Sequence, residues 1–193
     1  MNDNKKGPYF FLLSVFLFSI MELLVKFLSN DYPTGQIVFA RGLAGLIPIF
    51  LIMPKSNFIN NLKTKKIKLH LLRVLTGSFA LISIFFGIKY LPLADAISIT
   101  FAAPIFATIF SIFFLNEIVG KKRWLAILIG FAGILIILKP GTNMFSVYSV
   151  FPIFFCIGFA MSAILVKILS RTEENYLIAL YYTIGLTILS LFL

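Results

Sequence analysis

The chain is poor in the residues that catalysis and metal binding use most. Its 193 residues hold one cysteine, Cys156, and one histidine, His70. A lone thiol excludes an internal disulfide, and a single imidazole with no second soft ligand argues against a metal site. Charge is scarce too: 12% of residues are charged, where soluble chains run at about 25%. No Gly-rich phosphate loop, metal constellation or nucleophile–base arrangement is present, so neither an enzyme nor an ATP-driven machine is expected, and no cofactor is implied.

What is present is apolar. Hydrophobic residues make up 60% of the chain, and they come in runs long enough to read as membrane-spanning helices. Seven segments stand out: Tyr9–Leu28, Gln36–Met53, Leu71–Ile88, Ala94–Leu115, Trp124–Leu138, Tyr148–Leu169 and Tyr176–Leu193. The expected class is therefore all-α, a polytopic helical membrane protein with seven transmembrane helices. "NDYPTG" (Asn30–Gly35) and "KPGTN" (Lys139–Asn143) supply turn chemistry between segments. The brevity of "YLPLAD" (Tyr90–Asp95) makes the third and fourth helices antiparallel neighbours. The first run is expected to stay uncleaved, since it ends in "LVKFLS" without a small-residue cleavage site.

A net charge of +10 could suggest nucleic acid. Here the basic residues sit in short segments between apolar runs, so they report topology, and no nucleic-acid partner is expected. With the N-terminus in the cytoplasm, Lys5, Lys6, Lys55, Lys63, Lys65, Lys66, Lys68, Lys121, Lys122, Arg123 and Arg171 fall inside, while only Lys89 and Lys139 fall outside. That asymmetry places the N-terminus in. The richness in Phe, Ile, Lys and Asn suits an AT-rich bacterial genome, and hence a multi-pass protein of the cell inner membrane.

A phrase recurs. Residues 24–26, 28 and 29 (Leu24, Val25, Lys26, Leu28, Ser29) match Leu165, Val166, Lys167, Leu169 and Ser170, each 141 positions later. Four helices lie between the copies, so the first and sixth helices cross the bilayer in opposite senses. Similar sequence in opposite orientation is an inverted-topology repeat, an architecture of secondary transporters.

The stretch from Tyr90 to Pro140 carries "LPLADA", a mid-segment Pro104, Glu117 closing the fourth helix, "KKRW" and "GFAGILIILKP". It resembles the EamA-type domain of the drug/metabolite transporter superfamily, and "VKFLSNDYPTGQIVFARG" resembles that family's first helix pair. The resemblance implies ten helices in two inverted five-helix halves around a substrate cavity. On that pattern residues 1–142 form one complete half and residues 143–193 the first two helices of a second. The chain is then expected to be a truncated transporter, completed by a missing C-terminal half or by another copy. The implied function is an inner-membrane permease moving a small-molecule solute by alternating access, with proton coupling as an open option. The alternative is a non-transporting polytopic subunit or a non-functional fragment.

Ionisable groups at membrane depth are costly and tend to face a cavity or a partner. Glu22 and Lys26 lie four apart on one helix face. Glu22 is about 6 Å deeper than Lys26 at helical rise, and Arg41 on the second helix lies at a similar depth. A Glu22–Arg41 pair with Lys26 above it is expected, serving either as a structural bridge or as the polar lining of a substrate pathway. Lys26 could equally snorkel to the surface. Arg73, near the start of the third helix, is expected among phospholipid headgroups. Glu117 opposes the dipole at its helix end and is expected to pair with Lys121, Lys122 or Arg123, as a structural or gating contact. Pro104 deletes the bond to the Thr100 carbonyl, marking a kink that could hinge alternating access.

Overall fold

The computed structural model describes residues 7–54, 62–138 and 146–193. Among these, eight α-helices form: α1 (Gly7–Leu28), α2 (Thr34–Ile52), α3 (Ile67–Tyr90), α4 (Leu93–Thr100), α5 (Ala103–Leu115), α6 (Lys121–Leu138), α7 (Val150–Leu169) and α8 (Asn175–Ser190). A short 3-10 turn at Val147–Ser149 leads into α7. Lys5, Lys6, Lys55, the Lys139–Asn143 turn and the expected boundary at residue 142 lie outside the described residues.

Five stretches are long and apolar enough to cross a bilayer: α1, α2, α3, the α4–α5 tandem and the turn with α7. The fifth expected segment becomes an 18-residue helix because Lys121, Lys122 and Arg123 join its first turn. At about 1.5 Å per residue it is then ~27 Å long. The last segment is shorter, with 16 helical residues in α8.

Prolines and short polar turns set the boundaries. Pro33, in an extended conformation, precedes α2. Pro92 precedes α4, and its carbonyl accepts the N–H groups of Asp95 and Ala96, each at 3.1 Å. Asn116 ends α5 in the left-handed conformation at φ 53°, a position that Asn tolerates better than most side chains.

The third helix is the axis of the bundle. Of its spanning window 56% is buried, against 6% for α1, which lies at the periphery. Its Leu81, Ile84, Phe85 and Ile88 form one core with Val25, Val38, Ile99 and Leu186. Close approach depends on glycine. A Cβ on Gly158 of α7 would come within 2.9 Å of the Thr76 carbonyl of α3, and one on Gly42 of α2 would collide with the Thr187 hydroxyl of α8. Such small residues let backbones meet where lipid supplies no hydrophobic drive.

Direction follows from the contacts at the helix ends. The last turn of α1 meets the C-terminal end of α3 through Lys26. The start of α7 meets that same end, where Tyr148 stacks on Tyr90 with centroids 4.6 Å apart. Hence α1 and α7 traverse the bundle in opposite senses. At the far end, the Thr64 hydroxyl donates to Glu173 at 2.8 Å and the Tyr181 hydroxyl donates to the Leu62 carbonyl at 2.9 Å.

Candidate functional site: a charged cavity between the spans

A cavity of about 640 Å³ opens between α1, α2, α3, α7 and α8, with Thr100 at the end of α4 closing one wall. That volume falls in the range of small-molecule sites, about 300–1,000 Å³. Among the described residues its charged lining consists of Glu22, Arg41 and Arg73, and the rest is mainly apolar.

Glu22 and Arg41 therefore share one chamber. They do not close into a bridge: among the described residues, Glu22 makes no hydrogen bond and the ion pair within contact distance is Lys167–Glu117. The Arg41 guanidinium instead lies 5.8 Å from the Phe85 ring centroid, and its Nη1 is buried without a hydrogen-bond partner. Helix α3 holds Arg73 where the sequence did not suggest. Rather than reaching headgroups, its side chain folds along the helix over Gly77, four residues on. It stacks 4.0 Å from the Tyr182 ring centroid. A Cβ on Gly77 would collide with Arg73 Nη1 and come within 2.7 Å of Tyr182. Glycine at 77 is thus the sequence signal for Arg73 in the cavity, readable only once α8 is known to pack there.

Lys26 departs from the expected cluster. Its Nζ donates to the carbonyls of Ile88 at 2.8 Å and Leu91 at 2.7 Å, and it is absent from the cavity lining. The reason is local. The Ile88 carbonyl would bond the N–H of residue 92 in a continuing helix, but residue 92 is proline and has none. A cation at a helix C-terminus also complements the dipole.

Pro104 does not kink a continuous helix. The chain breaks at Phe101–Ala102, and Pro104 falls in the first turn of α5, where a missing N–H leaves no bond unmade. The Thr100 carbonyl, at the end of α4, faces α7 instead: the buried Cys156 thiol lies 3.7 Å from it and 3.5 Å from the Ile99 carbonyl. The lone cysteine, uninformative in the sequence, is the polar stitch between the broken span and α7.

Glu117 pairs with Lys167 of α7 and not with Lys121. The left-handed Asn116 turns the chain out of α5, and the Glu117 N–H bonds back to the Ser111 carbonyl at 3.3 Å. Lys121 begins α6 in an exposed position. The hydrogen bond from Lys167 holds the Glu117 carboxyl below the usual carboxylate range.

Two walls of the cavity come from α1 and α7. Positions 141 apart line it in pairs: Phe18 with Phe159, Met21 with Ser162, and Glu22 with Ala163. The α1 and α7 faces thus meet one chamber at positions of the same spacing, with a carboxylate at Glu22 and a methyl group at Ala163.

Fold and cavity together define a polytopic helical membrane protein with a small-molecule chamber between its spans. Residues 5–139 match the model of the EamA-like transporter family, and the chain belongs to that family. It is 30% identical over 188 residues to the pseudopaline exporter of Pseudomonas aeruginosa, an alignment covering 97% of this chain and 66% of the relative. It is 32% identical over 190 residues to the S-adenosylmethionine uptake transporter of Rickettsia prowazekii, covering 95% and 63%. Against the riboflavin transporter of Vibrio cholerae it is 26% identical over 191 residues, covering 97% and 64%. The chain thus spans about two thirds of the length of these curated relatives. No solved structure matches it.

Proposed function

We propose that this protein is a secondary transporter of the bacterial inner membrane, moving a small metabolite by alternating access through the cavity between α1, α2, α3, α7 and α8. The observation that carries the reading is the cavity lining: equivalent positions of α1 and α7, on helices that run in opposite senses, face one chamber. That is the arrangement an inverted repeat produces at a substrate site. Family membership and the transporter names of the relatives support it. Those relatives include an exporter and an uptake protein with unlike solutes, so neither direction nor solute is carried over from them.

In this reading residues 1–142 are the first inverted half and 143–193 begin the second, with the remainder supplied by further chain or by another copy. The N-terminus is cytoplasmic. Glu22 and Arg41 form the polar wall of the substrate pathway, and Glu22 is the group available to a coupled proton. The break at Phe101–Ala102, held open by Pro104, is the hinge, and Glu117–Lys167 is a gating contact at the far end.

The test is solute flux in proteoliposomes, screened with a metabolite panel and repeated for Glu22→Gln, Arg41→Gln and the Glu22/Arg41 charge swap. Flux that is lost in the single variants while folding is retained, and that stays lost in the swap, is the expected result. Restoration of flux by the swap would assign the two residues to structure. No flux for any solute from the complete transporter would remove the proposal.

A further inference from the structure

The charges of the cavity do not balance. Among the described residues, Arg41 and Arg73 face it with Glu22 as the one carboxylate in its lining, which leaves a surplus of one positive charge. Both guanidiniums line the cavity, although Arg41 Nη1 and Nε and Nη1 of Arg73 are themselves buried in the wall with no hydrogen-bond partner among the described residues, so a solute meets the remaining N–H groups and the uncompensated charge. A buried guanidinium with open N–H groups is expensive unless an acceptor fills them, and buried orphans of this kind call for an explanation. Arginine is also the side chain whose forked donors match a carboxylate. The remainder of the wall is apolar or aromatic, including Phe18, Met21, Leu81, Ile84 and Phe155.

Resting on the transporter reading, we infer that the solute is an organic monoanion: one carboxylate on an apolar body, with the carboxylate seated between Arg73 and Arg41. Arg73 is the anchor, because Tyr182 stacks on its guanidinium at 4.0 Å and bare Gly77 leaves the room it occupies. Arg41 shares the field of Glu22, so the surplus charge is concentrated at Arg73. The apolar body lies toward the α1 and α7 faces, against Phe18 and Phe155. An organic cation of the same shape meets two guanidiniums and is rejected. The carboxylate of Glu22 keeps the α1 wall negative, and so orients the anion away from it.

The test uses the purified chain in nanodiscs of phosphatidylcholine, which carries no net charge. Thermal unfolding is followed with three probes of one shape, 4-methylpentanoate, 4-methylpentylamine and 4-methylpentanol, and with sodium chloride at matched ionic strength. The acid is expected to raise the unfolding temperature and the other three are not. Arg73→Gln should weaken the response to the acid by about tenfold or more, the value of a charge-assisted contact. Gly77→Ala, which keeps every charge but crowds the guanidinium, should weaken it in the same direction and serves if Arg73→Gln does not fold. Equal responses to acid and amine, a response to chloride as large as to the acid, or no response to the acid would overturn the inference. Flux of amines or neutral solutes with no acid response removes this inference and leaves the transporter reading. Acid binding with no flux of any solute removes the transporter reading and leaves this site.

Discussion

Replacing Lys26 with methionine keeps the length of the side chain and removes the cation. The loss falls on two carbonyls at the end of α3, Ile88 at 2.8 Å and Leu91 at 2.7 Å. Neither has an obvious substitute, since Pro92 has no N–H to offer Ile88. Each hydrogen bond from a charged donor contributes about 1.5–3 kcal/mol, and an orphaned buried acceptor costs a similar amount. The site is only partly buried, so water recovers some of this, and a net destabilisation of about 2–4 kcal/mol is expected. Equilibrium unfolding of the chain in mild detergent or nanodiscs measures it. Lys26→Arg should retain most of the stability by keeping a cation at the dipole. The contrast variant is Lys167→Met, which breaks an exposed ion pair whose contribution is small. The two lysines occupy the same place in the repeated phrase, so a common effect from the phrase itself would hit both alike. If Lys26→Met lies within about 0.5 kcal/mol of the parent, the level of an ordinary surface change, the capping argument is refuted.

Four further outcomes follow from the same contacts. Cys156→Val removes the donor at the Thr100 carbonyl and should destabilise by about 1–2 kcal/mol, while Cys156→Ser should not, as read by the same unfolding assay; native Cys156 should also resist maleimide labelling, being fully buried. The Glu117 carboxyl, held below its ordinary value by the Lys167 hydrogen bond, contributes stability that is present above the usual carboxylate range and lost as pH falls through the lowered value. Unfolding temperature should therefore drop on acidification below about pH 4, and Lys167→Met should flatten that part of the profile. Pro104→Ala should alter the accessibility of cysteine probes placed along α4 and α5, and unchanged accessibility on both sides would end the hinge assignment. Cysteines at Asp31 and Arg171 should label from opposite faces of the membrane, and a common face would refute the inverted arrangement.

Several features could be read from the chain alone because they rest on local chemistry. Apolar runs of span length must become helices in a bilayer, since no other open structure satisfies their backbone, and each of the seven segments contains a helix. The turns at Pro33 and Pro92 sit where proline and its neighbours place them. Glu22 and Arg41, joined through one short turn, line the same chamber, as their positions in the sequence suggest. Arg73 was misjudged because its distance from the helix start says nothing about azimuth, and Tyr182 arrives from more than a hundred residues away. The break at Phe101–Ala102 falls between Pro104 and Thr100, as the missing N–H suggests, but that it separates two helices and does not bend one is set by packing.

Composition and proline placement determined by themselves that this is a helical membrane protein, because hydrophobic length and backbone satisfaction are local constraints. Which charges meet was decided only by tertiary packing. The two lysines of the phrase diverge for that reason: Lys26 found the bare carbonyls above Pro92, Lys167 found Glu117, and two arginines without acceptors were left facing one cavity.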